Sequence, residues 1–216
     1  MKAKILQTRK ALPALLLGLS LPLTLGACVG TAYSGPVEVT RFISDNRASI
    51  GQGPIAITFP EEMNNLRAKE AFYDAVAAQL VGLGYAIALD EAPGMQTARV
   101  TTKRSPLAPA SSRGPVSVGV GGQTGGFGSG VGVGIGIDLG GNSSRPNALS
   151  ELSVRISDAN GNSLWEGRAQ QAISINSPYA EVEASAAALA AALFKDFPGG
   201  NGETVSIDVD ELQEQE

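Results

Sequence analysis

The sequence predicts an α+β fold, an antiparallel or mixed β-sheet with two amphipathic helices packed on one face. Three observations carry that prediction. Leu152, Val154 and Ile156 alternate with Ser153, Arg155 and Ser157 ahead of Asn160-Gly161, so residues 152–175 read as a β-hairpin with one buried face. Leu66, Tyr73, Val76, Leu80 and Leu83 make one apolar stripe at helical spacing, and Val182, Ala186, Leu189, Leu193 and Phe197 make a second. The elements run ββα, then several strands, then α, an order that suits hairpin-linked strands covered by helices.

Taken in order, the chain opens on a targeting segment, residues 1–27. Lys2, Lys4, Arg9 and Lys10 precede the apolar run 11–25, which is too short to span a bilayer comfortably as a helix. The run ends at Leu25-Gly26-Ala27-Cys28, which resembles the lipobox of bacterial lipoproteins. That resemblance implies cleavage before Cys28 and acylation of Cys28 as the first mature residue. Two or more acyl chains anchor a protein stably where one does not. Val29 follows the cysteine in place of Asp, which resembles outer-membrane sorting in enterobacterial lipoproteins.

Residues 28–36 are small and polar and read as a tether, and residues 37–208 as a single α+β domain. Within it, 37–44 and 54–59 are strands, the second with Ile55, Ile57 and Phe59 on one face. A helix starting at Glu61 or Leu66 runs to Leu83, with Gly82 and Gly84 marking its end. Residues 85–89 and 98–105 are further strands, and 106–115, with three prolines, is loop.

Residues 114–141 then alternate valine or isoleucine with glycine in two runs, 116–120 and 131–139. No lysine lies between Lys103 and Lys195 and no G-x-G-x-x-G register fits, so this is no phosphate-binding loop. A Gly-rich β-hairpin insertion with a bare face is the reading, with a low-complexity loop as the alternative.

In the hairpin that follows, a two-residue Asn160-Gly161 loop sets Ile156 opposite Trp165, Val154 opposite Gly167, Leu152 opposite Ala169 and Arg155 opposite Glu166. Ser177-Pro178 reads as cap and first residue of the second helix, with Glu181 and Glu183 in its first turn; Pro198-Gly199-Gly200 stops it. Residues 203–208 suit a short edge strand, and 209–216 an acidic tail.

As a set, Asp158, Gly161, Trp165 and Gly167, Gly84-Tyr85 after the first helix, and Phe197-Pro198 after the second resemble the bacterial lipoproteins grouped as domain of unknown function 4136. The resemblance covers residues 37–198. It implies a place and a shape and no activity.

Composition narrows the chemistry. Removing the four basic residues of the leader leaves 12 Lys and Arg against 21 Asp and Glu, a formal charge of −9, which excludes a nucleic-acid partner. The chain has no histidine, so triads, Cys-His pairs and histidine-ligated metal sites are excluded. Cys28 is the lone cysteine, so no disulfide framework forms. The carboxylate pairs Asp90 with Glu91 and Glu181 with Glu183 are the candidates for glycoside cleavage, though solvated charge is their ordinary explanation. Residues 158–162 begin like a calcium loop, but Ser163 and Ala169 stand where its glycine and bidentate glutamate belong. Trp165 is assigned to core packing over ligand stacking.

The expectation is therefore a non-enzymatic lipoprotein anchored in the outer membrane through Cys28 and facing the periplasm. It has no catalytic, cofactor or metal residues and is a structural or accessory component of envelope assembly or transport. An envelope protein partner would engage the Gly-rich hairpin. The alternative is a binding module for lipid or another apolar small molecule held between sheet and helices.

Overall fold

A computed structural model of the chain describes residues 32–45, 50–107 and 146–213. The leader, Cys28 and the Gly-rich insertion at 114–141 lie outside the described residues. The elements in chain order are β1 (Ser34–Ile43), β2 (Gly53–Thr58), α1 (Leu66–Gly82), β3 (Tyr85–Ala88), β4 (Gln96–Pro106), β5 (Ala148–Ser157) and β6 (Ser163–Ile173). A 3-10 turn at Pro178–Ala180, α2 (Val182–Phe194), β7 (Thr204–Ile207) and α3 (Val209–Gln213) complete it.

The seven strands form one mixed sheet in the order β3-β2-β4-β5-β6-β1-β7. β2 runs parallel to both β3 and β4, and every other pairing is antiparallel. Both long helices cover one face. Phe72, Val76 and Leu80 of α1 and Ala186, Leu189 and Leu193 of α2 share a single core with Val37, Val39, Ile55, Val100, Leu152, Val154 and Ile156 of the strands. The fold class is thus the α+β sandwich that the hydrophobic periods predict.

The register of the central hairpin follows the expected pairing. Ile156 faces Trp165, Val154 faces Gly167, Leu152 faces Ala169 and Arg155 faces Glu166. The loop differs. A register shift between Ile156 and Ser157 replaces the two-residue turn with a five-residue loop over 158–162. Asp158 decides this: its carboxylate accepts from the backbone N–H groups of Asn160 (2.9 Å) and Asn162 (2.8 Å) and from the Asn162 side-chain amide (3.0 Å). Its carbonyl accepts from the Gly161 N–H at 2.9 Å, and Gly161 adopts φ 82°. An Asx turn therefore outcompetes the tight Asn-Gly turn, because it satisfies more backbone donors.

Three other boundaries move, and for α1 the second of the two expected starts holds. β1 starts at Ser34, inside the segment expected as tether, because the Tyr33 N–H and carbonyl bond to Ser174 and the Ser34 hydroxyl bonds to that of Ser177. α1 starts at Leu66 with Asn65 capping the Ala68 N–H at 3.1 Å, leaving Glu61 and Glu62 ahead of the helix. Ser177 caps only the 3-10 turn, and α2 begins separately at Val182 and ends at Phe194, so Phe197 lies beyond it. Residues 209–213, expected as tail, form α3, which turns Val209 into the core.

Trp165 is the centre of the packing. Its ring stacks on Phe194 (centroids 5.3 Å apart, 18° between planes) and tilts against Phe197 at 5.1 Å, while its indole N–H donates to the Pro198 carbonyl at 3.0 Å. Gly167, two residues on along the same face, is the floor beneath it. A Cβ there would meet Trp165 Cη2 and come within 2.7 Å of Leu193 Cδ1. Gly167→Ala is expected to destabilise the domain by roughly 1–3 kcal/mol through overpacking. An urea midpoint equal to wild type would show that the ring has room to move.

Arg41 is the unexpected member of the core face of β1. It is buried, and it donates through Nε to the Leu193 carbonyl (2.9 Å) and through Nη2 to those of Ala192 (3.0 Å) and Lys195 (2.8 Å). Ala192 and Leu193 carry terminal carbonyls of α2, which have no partner inside the helix, and Lys195 is its C-cap residue. Burial pushes the Arg41 pKa down, and Asp196 opposes that shift.

Candidate functional site

The face of the sheet away from the helices carries polar side chains at alternate positions. One row crosses four strands: Thr58 of β2 is registered with Arg99 of β4, Arg99 with Arg155 of β5, and Arg155 with Glu166 of β6. Residues 89–95 carry the chain past β2, from β3 on one side to β4 on the other. Ala92-Pro93-Gly94-Met95 makes a turn closed by the Met95 N–H on the Ala92 carbonyl at 3.3 Å, with Gly94 at φ 87°. Proline then glycine at the two central positions is the type II signature.

This turn and the 158–162 loop wall a groove of about 570 Å3. Thr58, Thr97, Arg99, Arg155 and Ser157 line it from the sheet, and Glu91, Met95, Asp158 and Gly161 from the loops. Arg155 pairs with Glu166 at 2.7 Å, and both groups are substantially exposed. Such a pair contributes on the order of 0–1 kcal/mol. The Arg99 side chain makes no ion pair or hydrogen bond among the described residues.

The acids of the groove are engaged elsewhere. Asp158 is held in its loop, and the Asn162 side-chain bond, aided by the backbone N–H groups of Asn162 and Asn160, keeps its carboxyl below the usual carboxylate range. Glu91 accepts from the Thr97 hydroxyl at 3.4 Å.

The residues weighed from the sequence fall as follows. Glu181 and Glu183 both pair with Arg67 of α1, at 3.5 and 2.7 Å, and fasten the two helices at the surface. Arg67 is raised and Glu183 lowered in pKa, chiefly by the hydrogen bond they share. Glu91 reaches the groove, and Asp90 does not line it. The carboxylate of Asp158, first of the calcium-like run, is occupied by its own loop, and no cluster of three or more metal-ligating side chains occurs among the described residues. Trp165 is fully buried in the core, as assigned.

Against known proteins, no family model matches the chain, and no curated protein matches it. Among solved structures it is similar to a PDZ domain protein from Parabacteroides distasonis ATCC 8503, at 11% identity and a TM-score of 0.49, over 82% of this chain and 38% of that one. It is also similar to PelC dodecamers from Paraburkholderia phytofirmans, at 12% and 13% identity and TM-scores of 0.36 and 0.35, over 73% of this chain and 93–94% of those.

The residues that carry the lipoprotein resemblance have structural duties. Asp158 and Gly161 shape the hairpin loop, Gly167 seats the Trp165 ring, and Phe197-Pro198 supplies the third ring and the acceptor for the indole. The Tyr85 hydroxyl accepts from the Gly51 N–H at 2.7 Å, and burial raises its pKa. Of these, Asp158 and Gly161 also line the groove, and its other lining residues lie outside the set. Arg99 escapes sequence reasoning because its partner strand β5 lies beyond the insertion; the Pro93-Gly94 turn was the legible signal for the wall.

Large apolar side chains from both layers meet between sheet and helices. Leu80, Trp165, Leu189 and Leu193 have at most 1% of their surface exposed. The groove lies on the opposite face.

Proposed function

We propose that this chain is a non-enzymatic lipoprotein, anchored through Cys28 in the outer membrane, that serves as an accessory component in the periplasm. One observation supports the reading beyond the lipobox itself: the tether and the Gly-rich segment leave the domain from the same end. Pro106 pairs with Ala148, Ala148 with Ile173, and Ile173 with Ser34, so the insertion's exits and the start of β1 lie at one end of the run β4-β5-β6-β1. Three strand spacings of about 4.8 Å separate β4 from β1, roughly 14 Å. Cys28 stands six residues before Ser34, within about 20 Å of extended chain.

An anchor at that end orients the domain. The Thr97–Ser157 end of the β4–β5 pair, with its groove, then points away from the bilayer, roughly 30 Å along β4 at about 3.3 Å per residue. The paired strand ends Pro106 and Ala148 then face the membrane, and the Gly-rich segment that joins them in sequence is the part of the chain an envelope protein partner would engage. A non-enzymatic role fits a chain without histidine in which one of the two candidate carboxylate pairs, Glu181 and Glu183, is paired with Arg67 and only Glu91 of the other lines the groove.

The test is Cys28→Ser in intact cells. Wild type is expected to take up labelled fatty acid and to fractionate with the outer membrane. Cys28→Ser is expected to lose the label and appear in the soluble periplasmic fraction or as uncleaved precursor. Equal acyl labelling and equal outer-membrane fractionation of the two chains would overturn the anchor.

A further inference from the structure

We propose that the groove on the open face of the sheet binds a small polar molecule by its oxyanion, a carboxylate or phosphate, with Arg99 and Arg155 as a joint clasp. The two guanidiniums start from directly opposed positions on adjacent antiparallel strands. Opposed side chains have Cβ atoms about 4.5–5.5 Å apart, and like charges set there repel. An oxyanion between them turns that repulsion into two charge-assisted contacts, and guanidinium forks match the geometry of carboxylates and phosphates.

The neighbours leave the clasp available. Only one of the two arginines is matched inside the protein: Arg155 gives its Nε to Glu166, and the Arg99 side chain has no partner among the described residues. The acids of the groove, Glu91 and Asp158, accept from the Thr97 hydroxyl and from Asn160 and Asn162, and neither forms an ion pair with Arg99. They stand at the groove as acceptors for hydroxyl or ammonium groups elsewhere on the same ligand. Ser157 and Thr58 add hydroxyls.

Size and lining restrict the class. About 570 Å3 suits a molecule of metabolite size rather than a folded partner. No aromatic ring among the described residues lines the groove, so polar contacts carry recognition there. The net negative charge of the chain disfavours a polyanion, whereas a single oxyanion can engage the two guanidiniums with Glu91 and Asp158 as the like charges at the groove.

The inference does not depend on the lipid anchor, so the test is run on the full-length chain in neutral detergent micelles at fixed ionic strength. The probes are inorganic phosphate and O-phosphoserine, and the readouts are calorimetry and the Nε–Hε resonances of arginine. Saturable binding with selective shifts of Arg99 and Arg155 is expected, tighter for O-phosphoserine. Arg99→Gln should weaken phosphate at least about tenfold. Arg155→Gln should do the same, and Arg67→Gln, on the helical side, should leave binding unchanged. Glu91→Gln should tighten phosphate by removing a like charge. Both arginines are exposed, and an unchanged urea midpoint in Arg99→Gln separates loss of binding from loss of fold. Shifts that grow linearly without saturation, or equal weakening in Arg67→Gln and Arg99→Gln, would sink the proposal.

Discussion

Trp165→Ala is expected to lower the stability of the domain by about 3–5 kcal/mol, more than truncation of any other single core residue. The ring is fully buried, lies against Phe194 and Phe197, and places its N–H on the Pro198 carbonyl. Truncation therefore opens a cavity between sheet and helix and strands a carbonyl acceptor. Urea unfolding followed by far-UV circular dichroism measures the loss, and a cost under about 1.5 kcal/mol would mean that the site collapses freely. A double-mutant cycle sharpens the test. Because the clash of a Cβ at position 167 is chiefly with the Trp165 ring, Gly167→Ala should cost less in the Trp165→Ala background than in wild type. Strict additivity would show that the two residues do not share the space.

Arg41→Met is expected to cost about 2–4 kcal/mol, from buried carbonyls at about 1–3 kcal/mol each with partial relief by water. Methionine keeps much of the aliphatic stem and removes every donor, so Ala192, Leu193 and Lys195 lose their partner together. The loss should be local in exchange experiments. Amides in the last turn of α2 and in residues 195–199 should open first, while those of β5 keep the protection of the global fold. Arg41→Lys retains the charge without the fork and should fall between wild type and Arg41→Met. An unfolding midpoint for Arg41→Met within about 0.5 kcal/mol of wild type would show that the guanidinium contributes no more than a surface residue does.

Arg41 was invisible to pattern reading for a physical reason. An arginine at a core-facing strand position is read as a solvated charge, because burying one without partners is prohibitive. The partners here come from the end of a helix more than 150 positions later, and no local signal announces that meeting. Arg99 is the same case on the opposite face: β4 was legible as a strand, but its pairing with β5 spans residues 107–147 and sets two arginines side by side.

What local chemistry specified was considerable. The two-residue period of β5 and β6 and the three-to-four-residue period of α1 and α2 fixed the element types, the buried faces and the pairing of Ile156 with Trp165, since a one-residue slip would turn every apolar side chain outward. The hairpin loop was misread because Asp158 offered the backbone more hydrogen bonds than the Asn-Gly turn that the composition favoured. Strand order, the parallel placement of β2 beside β4, the capping of α2 by Arg41 and the facing of Arg99 with Arg155 belong to the assembled fold. Side-chain periodicity reports which face of an element is buried and carries no record of which distant element covers it; packing of the whole chain chooses that neighbour.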